Sequence, residues 1–156
     1  MVSPDHDQPS SGRFVGREHR YPVRVYFEDT DLSGVVYHAN YLRYMERARS
    51  DMLRLAGADQ RAAFDAGLGA YAVADLAIRY RAPARLDDAL VVATRLVAVG
   101  AASCRIHQRV IRDHLLLAEA QVTAAFVAPT GRPARQPKAW IDAFQALIDQ
   151  EDPSIR

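Results

Sequence analysis

The chain has 156 residues, enough for one domain of ordinary size with a full hydrophobic core. Its apolar fraction of 49% excludes disorder in bulk, and its formal net charge of +1 argues against a dedicated nucleic-acid binder. The single cysteine, Cys104, excludes an internal disulfide and is compatible with a cytoplasmic location. No apolar run has signal-peptide or membrane-spanning length, so we expect no transmembrane segment.

The first part of the chain predicts a tail, a strand, an acidic turn and a long helix. Residues 1–20 are rich in Pro, Ser, Gly, Asp and Arg, which is typical of a flexible N-terminal tail. Alternating apolar residues then predict a half-buried strand at Tyr21, Val23, Val25 and Phe27. After the turn, Asn40 is a candidate helix cap and Gly57 a candidate helix end. The helix presents one apolar stripe, which consists of Tyr41, Met45, Ala48, Met52 and Leu55.

The rest of the chain predicts four successive strands and a short final helix. The strands span 71–80, 89–99, 102–112 and 115–127, and Pro137 can open the final helix. The apolar stripe of that helix consists of Trp140, Ile141, Phe144, Leu147 and Ile148. Short connections favour antiparallel pairing. We therefore predict a single α+β domain over residues 21–150, with a five-stranded antiparallel sheet around one long helix and a C-terminal tail at 151–156.

The candidate reactive groups lie in the connection between the first strand and the long helix, where loops usually carry a site. Asp29 and Asp31 have the spacing that opens a calcium loop, but its twelfth position is Asn40 and not the bidentate Glu. An aspartyl phosphatase also uses Asp-x-Asp after a strand, but its fold alternates strands with helices. A third interpretation is a hydrogen-bonded turn without chemistry, with His38 at a helix start.

Four segments together favour a fourth interpretation. They are VYFEDTD at 25–31, GVVYHANY at 34–41, YMERAR at 44–49 and RYRAPARLDD at 79–88. In this order they resemble the hot-dog thioesterases, in particular the 4-hydroxybenzoyl-CoA thioesterase family and its Tol–Pal-associated acyl-CoA thioesterase branch. The resemblance implies the hot-dog fold, in which an antiparallel sheet wraps a long helix. It also implies an obligate dimer with active sites at the subunit interface.

The resemblance assigns roles to individual residues. Asp31 matches the catalytic carboxylate, which attacks the thioester carbonyl or activates water for that attack. The backbone N–H of His38 matches the donor that polarises the thioester oxygen, and its imidazole is a second candidate catalytic group. The residues expected beside the substrate are Phe27, Gly34, Val36 and Tyr37, with Arg79, Arg81 and Arg85 as candidate ligands of the coenzyme A phosphates.

The function implied by the resemblance is a cytoplasmic acyl-CoA thioesterase that needs no metal or redox cofactor. We expect an acyl-CoA substrate, acyl carrier protein as an alternative thioester carrier, and a homodimer or homotetramer. A hot-dog dehydratase would need a His-rich, Pro-containing signature that this sequence lacks. A non-catalytic acyl-binding or scaffold protein on the same fold stays open. Asp29 is expected to be structural, and Glu46 is expected to form an ion pair with Arg43 or Arg49.

Overall fold

The structure is a computed structural model that describes residues 4–150. The predicted C-terminal tail at 151–156 lies outside the described residues, as do residues 1–3 of the predicted N-terminal tail. The strands of the described part are β1 (Arg13–Val15), β2 (Glu18–Arg24), β3 (Ala70–Tyr80), β4 (Ala89–Val99), β5 (Ser103–Arg112) and β6 (Leu115–Val127). The α-helices are α1 (His38–Leu55), α2 (Gln60–Asp65) and α3 (Lys138–Ile148), and single 3-10 turns lie at Pro4–Asp7 and Phe27–Asp29.

All strands belong to one antiparallel sheet in the order β1-β2-β4-β5-β6-β3. The predicted α+β class and hot-dog architecture are confirmed. The predicted number of strands was five, and the sheet has six in the described part because the short β1 pairs with β2. Within residues 4–150, no helix combines the length and the apolarity that crossing a membrane requires.

Helix α1 forms the centre of the core and packs on β2, β4 and β5. Tyr41, Met45, Ala48 and Met52 are buried as predicted, and each fully buried Met contributes about 1.5–3 kcal/mol of hydrophobic stabilisation. The predicted stripe is wrong at Leu55, which is 46% exposed because it is the last helical residue and lies past the sheet contact. Gly57 adopts a φ of +97° and its N–H bonds to the carbonyl of Arg54, so it ends the helix as predicted.

The start of α1 differs from the prediction. Tyr37, not Asn40, is the cap residue, and Asn40 is the third residue of the helix. The buried Asn40 amide donates to the carbonyl of Asp29 at 2.8 Å, and the N–H of Tyr37 donates to the same carbonyl at 2.9 Å. Asn40 therefore ties the helix to the acidic turn, which fixes the distance between them.

Part of the predicted flexible tail is ordered structure. β1 and the first residues of β2 fall within residues 1–20. They are attached to α1 by four residues that we call the N-terminal clasp, namely Ser11, Gly12, His19 and Asp51. The Asp51 carboxylate on α1 accepts hydrogen bonds from Ser11 Oγ at 2.9 Å, Gly12 N at 2.8 Å and His19 Nε2 at 2.7 Å. His19 is completely buried. Composition could not reveal the clasp because its carboxylate lies more than thirty residues away in sequence.

Candidate active site

The acidic turn is held by main-chain hydrogen bonds around Asp31. The N–H of Gly34 donates to the carbonyl of Asp31 at 3.0 Å, and the N–H of Asp31 donates to the carbonyl of Val35 at 3.0 Å. Gly34 has a φ of +82°, which strains any residue with a Cβ atom. The turn therefore presents the Asp31 side chain at the surface while the chain doubles back toward α1.

The Asp31 carboxylate is ionised and has one oxygen available for chemistry. Its Oδ1 accepts hydrogen bonds from the Ser33 amide at 2.8 Å and from the Ser33 hydroxyl. These bonds, the hydroxyl's first, together with the charge of His38, lower the pKa of Asp31 below its usual range. Oδ2 has no hydrogen-bond partner among residues 4–150. A water molecule or a substrate carbonyl can therefore approach Oδ2.

The N-terminus of α1 offers hydrogen-bond donors close to the turn. Thr30 and Val36 form an antiparallel bridge, which brings the first residue of α1, His38, back to the acidic turn. Tyr37 provides no side-chain cap, and the backbone N–H groups of His38 and Ala39 have no acceptor within the described chain. Uncapped N–H groups at the positive end of a helix bind anionic or polarised oxygen atoms.

An aromatic cleft of about 310 Å³ borders the start of the helix. The hydroxyl of Tyr80 on β3 donates to the carbonyl of His38 at 2.8 Å, and the ring of Tyr80 stacks edge-on against Tyr41 at 5.4 Å. The hydroxyl of Tyr41 accepts from the N–H of Ala84 at 2.9 Å. The cleft is lined by Val36, His38, Tyr41, Tyr80, Arg81, Ala82 and Pro83.

The structure brings most predicted site residues into this region. Gly34 lies in the turn, Val36 is buried in the cleft wall, and the exposed ring of Tyr37 contacts the His38 imidazole at 4.5 Å between centroids. Phe27 lies in the 3-10 turn, is 81% exposed and lines no cavity found in the described chain. The strand alternation that predicted Phe27 on the sheet is wrong because β2 ends at Arg24.

Two residues of the site were missed by the sequence analysis. Ser33 lies two positions after Asp31, the spacing at which an Asp side chain bonds the backbone, so the sequence did carry a signal for it. Tyr80 ends the strand predicted at 71–80, but its contact with His38 depends on tertiary packing. An aromatic ring with a polar hydroxyl at its tip was the only sequence signal for this residue.

The three predicted phosphate ligands are not equivalent. Arg81 lines the cleft, and its guanidinium lies 4.0 Å from Glu119. Arg85 forms a backbone bridge with Val35, directly after the acidic turn. Arg79 lies between Ile78 and Tyr80, so it projects from the face of β3 opposite the cleft. The site geometry therefore favours Arg81 and Arg85.

The predicted ion pair of Glu46 is wrong. No basic group of residues 4–150 lies within 4.0 Å of the Glu46 carboxylate. Arg49, one of the two expected partners, turns into the protein and donates to Gln108 Oε1 at 2.9 Å. The helical spacing alone could not show which way this side chain turns.

Comparisons with known proteins agree with the fold. Residues 25–147 match the thioesterase-like superfamily. The acyl-CoA thioester hydrolase YbgC of Escherichia coli O6:H1 is 41% identical over 128 residues, which cover 81% of this chain and 95% of the relative. A probable thioesterase structure from Bartonella henselae has 34% identity and a TM-score of 0.73, covering 77% of this chain and 99% of that chain. The 1,4-dihydroxy-2-naphthoyl-CoA thioesterase Slr0204 from Synechocystis has 26% identity and a TM-score of 0.76, covering 82% and 96%.

Proposed function

The chain belongs to the thioesterase-like superfamily and is a thioester hydrolase, and from that premise we propose that it converts an acyl-CoA thioester and water into a carboxylic acid and free coenzyme A. One observation carries the assignment of the site. The ionised Asp31 carboxylate has a free Oδ2 and lies beside the uncapped start of α1 at His38. Similarity to YbgC over most of both chains supports the substrate class.

The proposed chemistry uses both features of this site. The thioester oxygen accepts a hydrogen bond from the His38 N–H, and the helix dipole stabilises the negative charge that develops there. As a general base, Asp31 takes a proton from water while the water oxygen bonds to the carbonyl carbon. The C–S bond then breaks, and the departing thiolate recovers the proton from Asp31. Loss of one such donor costs about 10²–10³-fold in kcat.

Asp31 can also act as the nucleophile. Its Oδ2 then bonds to the carbonyl carbon, and breaking of the C–S bond releases coenzyme A as the thiolate and leaves a mixed anhydride. Water hydrolyses the anhydride to the carboxylic acid and free Asp31, and the proton this releases protonates the thiolate. Both routes have the same products. Single turnover in ¹⁸O-labelled water separates them, because hydrolysis of the anhydride at the protein carbonyl places the label on Asp31.

The preference for particular acyl groups is tested with a panel of thioesters. The panel contains acetyl-, hexanoyl-, palmitoyl- and benzoyl-CoA, and release of free thiol gives kcat/KM for each. The alternative function, a non-catalytic acyl-binding or scaffold protein, predicts binding without turnover on every member. Acyl-pantetheine carried by acyl carrier protein belongs in the same panel, since the proposed chemistry acts on the thioester group and does not require the adenosine.

We further propose that the protein is a homodimer that pairs through β3. This strand has eleven residues, bonds to β6 along one edge, and has no strand on its other edge within the described chain. Exposed Val73 and Tyr80 lie on it, and the nearby turn exposes Phe27 and Leu32. Long open edges and clustered exposed apolar side chains indicate an interface. A homotetramer, the alternative assembly, would bury further surface outside the β3 edge.

Sedimentation equilibrium tests the oligomer directly. We expect a species of at least twice the 17.3 kDa chain mass at micromolar protein concentration. The open strand edge then pairs antiparallel with its copy around a two-fold axis. A monomer at the concentration used for activity assays would contradict the dimer.

The coenzyme phosphates are proposed to contact Arg81 and Arg85, with Arg79 as a weaker candidate. Salt should then raise KM for acyl-CoA, because the screening length falls from about 10 Å at 0.1 M to about 3 Å at 1 M ionic strength. Arg81→Ala and Arg85→Ala should raise KM at low salt and flatten its salt dependence. Arg13→Ala, which removes an exposed arginine from β1 at the opposite edge of the sheet, is the matched control. A KM that is insensitive to salt and to both substitutions would place the phosphates elsewhere.

Two finer assignments are proposals that rest on sequence alone. Membership of the Tol–Pal-associated branch is supported by the motif segments at 25–49 and 79–88. A cytoplasmic location is supported by the coenzyme A substrate and by the single cysteine. Cell fractionation with an antibody against the chain tests the location.

A further inference from the structure

A second cavity, of about 300 Å³, lies between α1, α2 and the sheet, away from the aromatic cleft. Its walls are mainly apolar and include Leu53, Leu96 and Ile106. Cys104 also lines it, and burial raises the pKa of this thiol to about 11, so the thiol is neutral. Ala72 and Val73 of β3 lie at its edge. We call this space the α1 cavity.

A buried guanidinium faces the α1 cavity. Arg49 is only 9% exposed, and its Nη1 donates to Gln108 Oε1 at 2.9 Å. Gln108 is itself fixed, since its Nε2 donates to the carbonyl of Met45 and to Thr94 Oγ1. This network holds the Arg49 side chain in place and engages one of its five N–H donors.

Arg49 has no contacting counter-charge. No carboxylate of residues 4–150 lies within 4.0 Å of its guanidinium, although Glu46 lines the same cavity farther away. Burial lowers the pKa of Arg49 and the charge of Glu46 opposes this, so the side chain stays charged. A buried charge without a contacting counter-charge is costly, and a planar guanidinium matches a carboxylate best.

We infer that the α1 cavity binds the far end of the acyl group and that Arg49 selects substrates whose acyl group ends in a second carboxylate. This inference deepens the proposed thioesterase function and rests on it and on the β3 dimer. Antiparallel pairing around the middle of β3 places Tyr80 of one protomer beside the Ala70 end of its copy. The aromatic cleft at Tyr80 and His38 of one protomer then adjoins the edge of the partner's α1 cavity at Ala72 and Val73.

The test compares thioesters that differ only in the terminal group. The pairs are hexanoyl-CoA with adipoyl-CoA and benzoyl-CoA with 4-carboxybenzoyl-CoA. For the wild type we expect kcat/KM to favour the carboxylated member by about tenfold or more, the range of a charged hydrogen bond. Arg49→Gln should reduce that ratio by about tenfold or more. Arg105→Gln removes an exposed arginine from β5 and should leave the ratio and both rates unchanged.

Each outcome decides a separate point. A wild-type preference for the neutral member in both pairs, or a ratio that Arg49→Gln leaves unchanged, would overturn the inference. A purely structural Arg49 would lower both rates together and leave the ratio intact. If Arg49→Gln does not fold, Arg49→Lys takes its place, because it keeps the positive charge but lacks the planar guanidinium. Its ratio of kcat/KM for the carboxylated and the neutral thioester should then be intermediate. Absence of hydrolysis of all four thioesters would instead contradict the proposed function.

Discussion

Replacing Asp31 by Asn should lower kcat on the best thioester by at least roughly 10²-fold, the usual cost of losing a general base. The amide has nearly the same shape and can still accept the Ser33 bonds, but it cannot attack a carbonyl or take a proton. Asp31 is exposed in the turn, so the thermal midpoint should change little. Free-thiol release and thermal unfolding on the same preparation measure both effects.

Asp29→Asn is the matched control, because it makes the same change two residues away in the same turn. Asp29 Oδ2 accepts from the N–H of Tyr26 at 2.8 Å, which holds the 3-10 turn together. We expect this variant to lose less activity and more stability than Asp31→Asn. If Asp31→Asn keeps most of its turnover, Asp31 is not the catalytic carboxylate, and His38 or Glu46 takes its place as the residue to replace.

Asp51→Ala should lower the free energy of unfolding by about 3 kcal/mol, the upper end of the cost of leaving a buried hydrogen-bond donor without an acceptor. The variant leaves the partly buried N–H of Gly12 and the buried ring N–H of His19 without an acceptor. Asp65→Ala is the control, since its ion pair with Arg61 is exposed and should contribute less than about 1 kcal/mol. Urea unfolding at one protein concentration measures both. Equal losses in the two variants would contradict a stabilising clasp.

The clasp also predicts a pH dependence. Burial lowers the pKa of His19, although the bond to Asp51 opposes this. The unfolded chain therefore binds the proton first, and stability that is complete above about pH 6.5 falls as the pH drops toward the folded pKa. His19→Gln should remove this part of the slope, while the partly buried His107 contributes equally to both proteins. If the thermal midpoints of the wild type and of His19→Gln fall in parallel between pH 7 and pH 5, this prediction is contradicted.

The elements with a strong local pattern were predictable from sequence. The bounds of β4 and β6 agree with the prediction because alternation persists through each strand and Gly or Pro breaks follow. Both ends of α1 were predicted within three residues, since its apolar stripe and Gly57 are local sequence signals. α2 was missed because it is six residues long, although Asp59 caps it by accepting from Ala62 N.

The parts that depend on distant contacts were not predictable. β1 and the clasp need Asp51, and the orientation of Tyr80 toward His38 needs the end of β3 to lie beside the start of α1. The direction of Arg49 is set by Gln108 on β5, fifty-nine residues away, so helical spacing favoured the wrong partner. Resemblance identified the turn that carries Asp31, whereas the free Oδ2 and the uncapped helix start are features of the three-dimensional structure.

Multiple-turnover release of coenzyme A tests the central claim most directly. The wild-type chain is incubated with a large excess of acyl-CoA, and free thiol is counted against protein chains. We predict that many equivalents of coenzyme A per chain are released at a constant rate, with a matching amount of carboxylic acid. Release of one equivalent or less per chain from every thioester in the panel would contradict the claim that this site is a hydrolase.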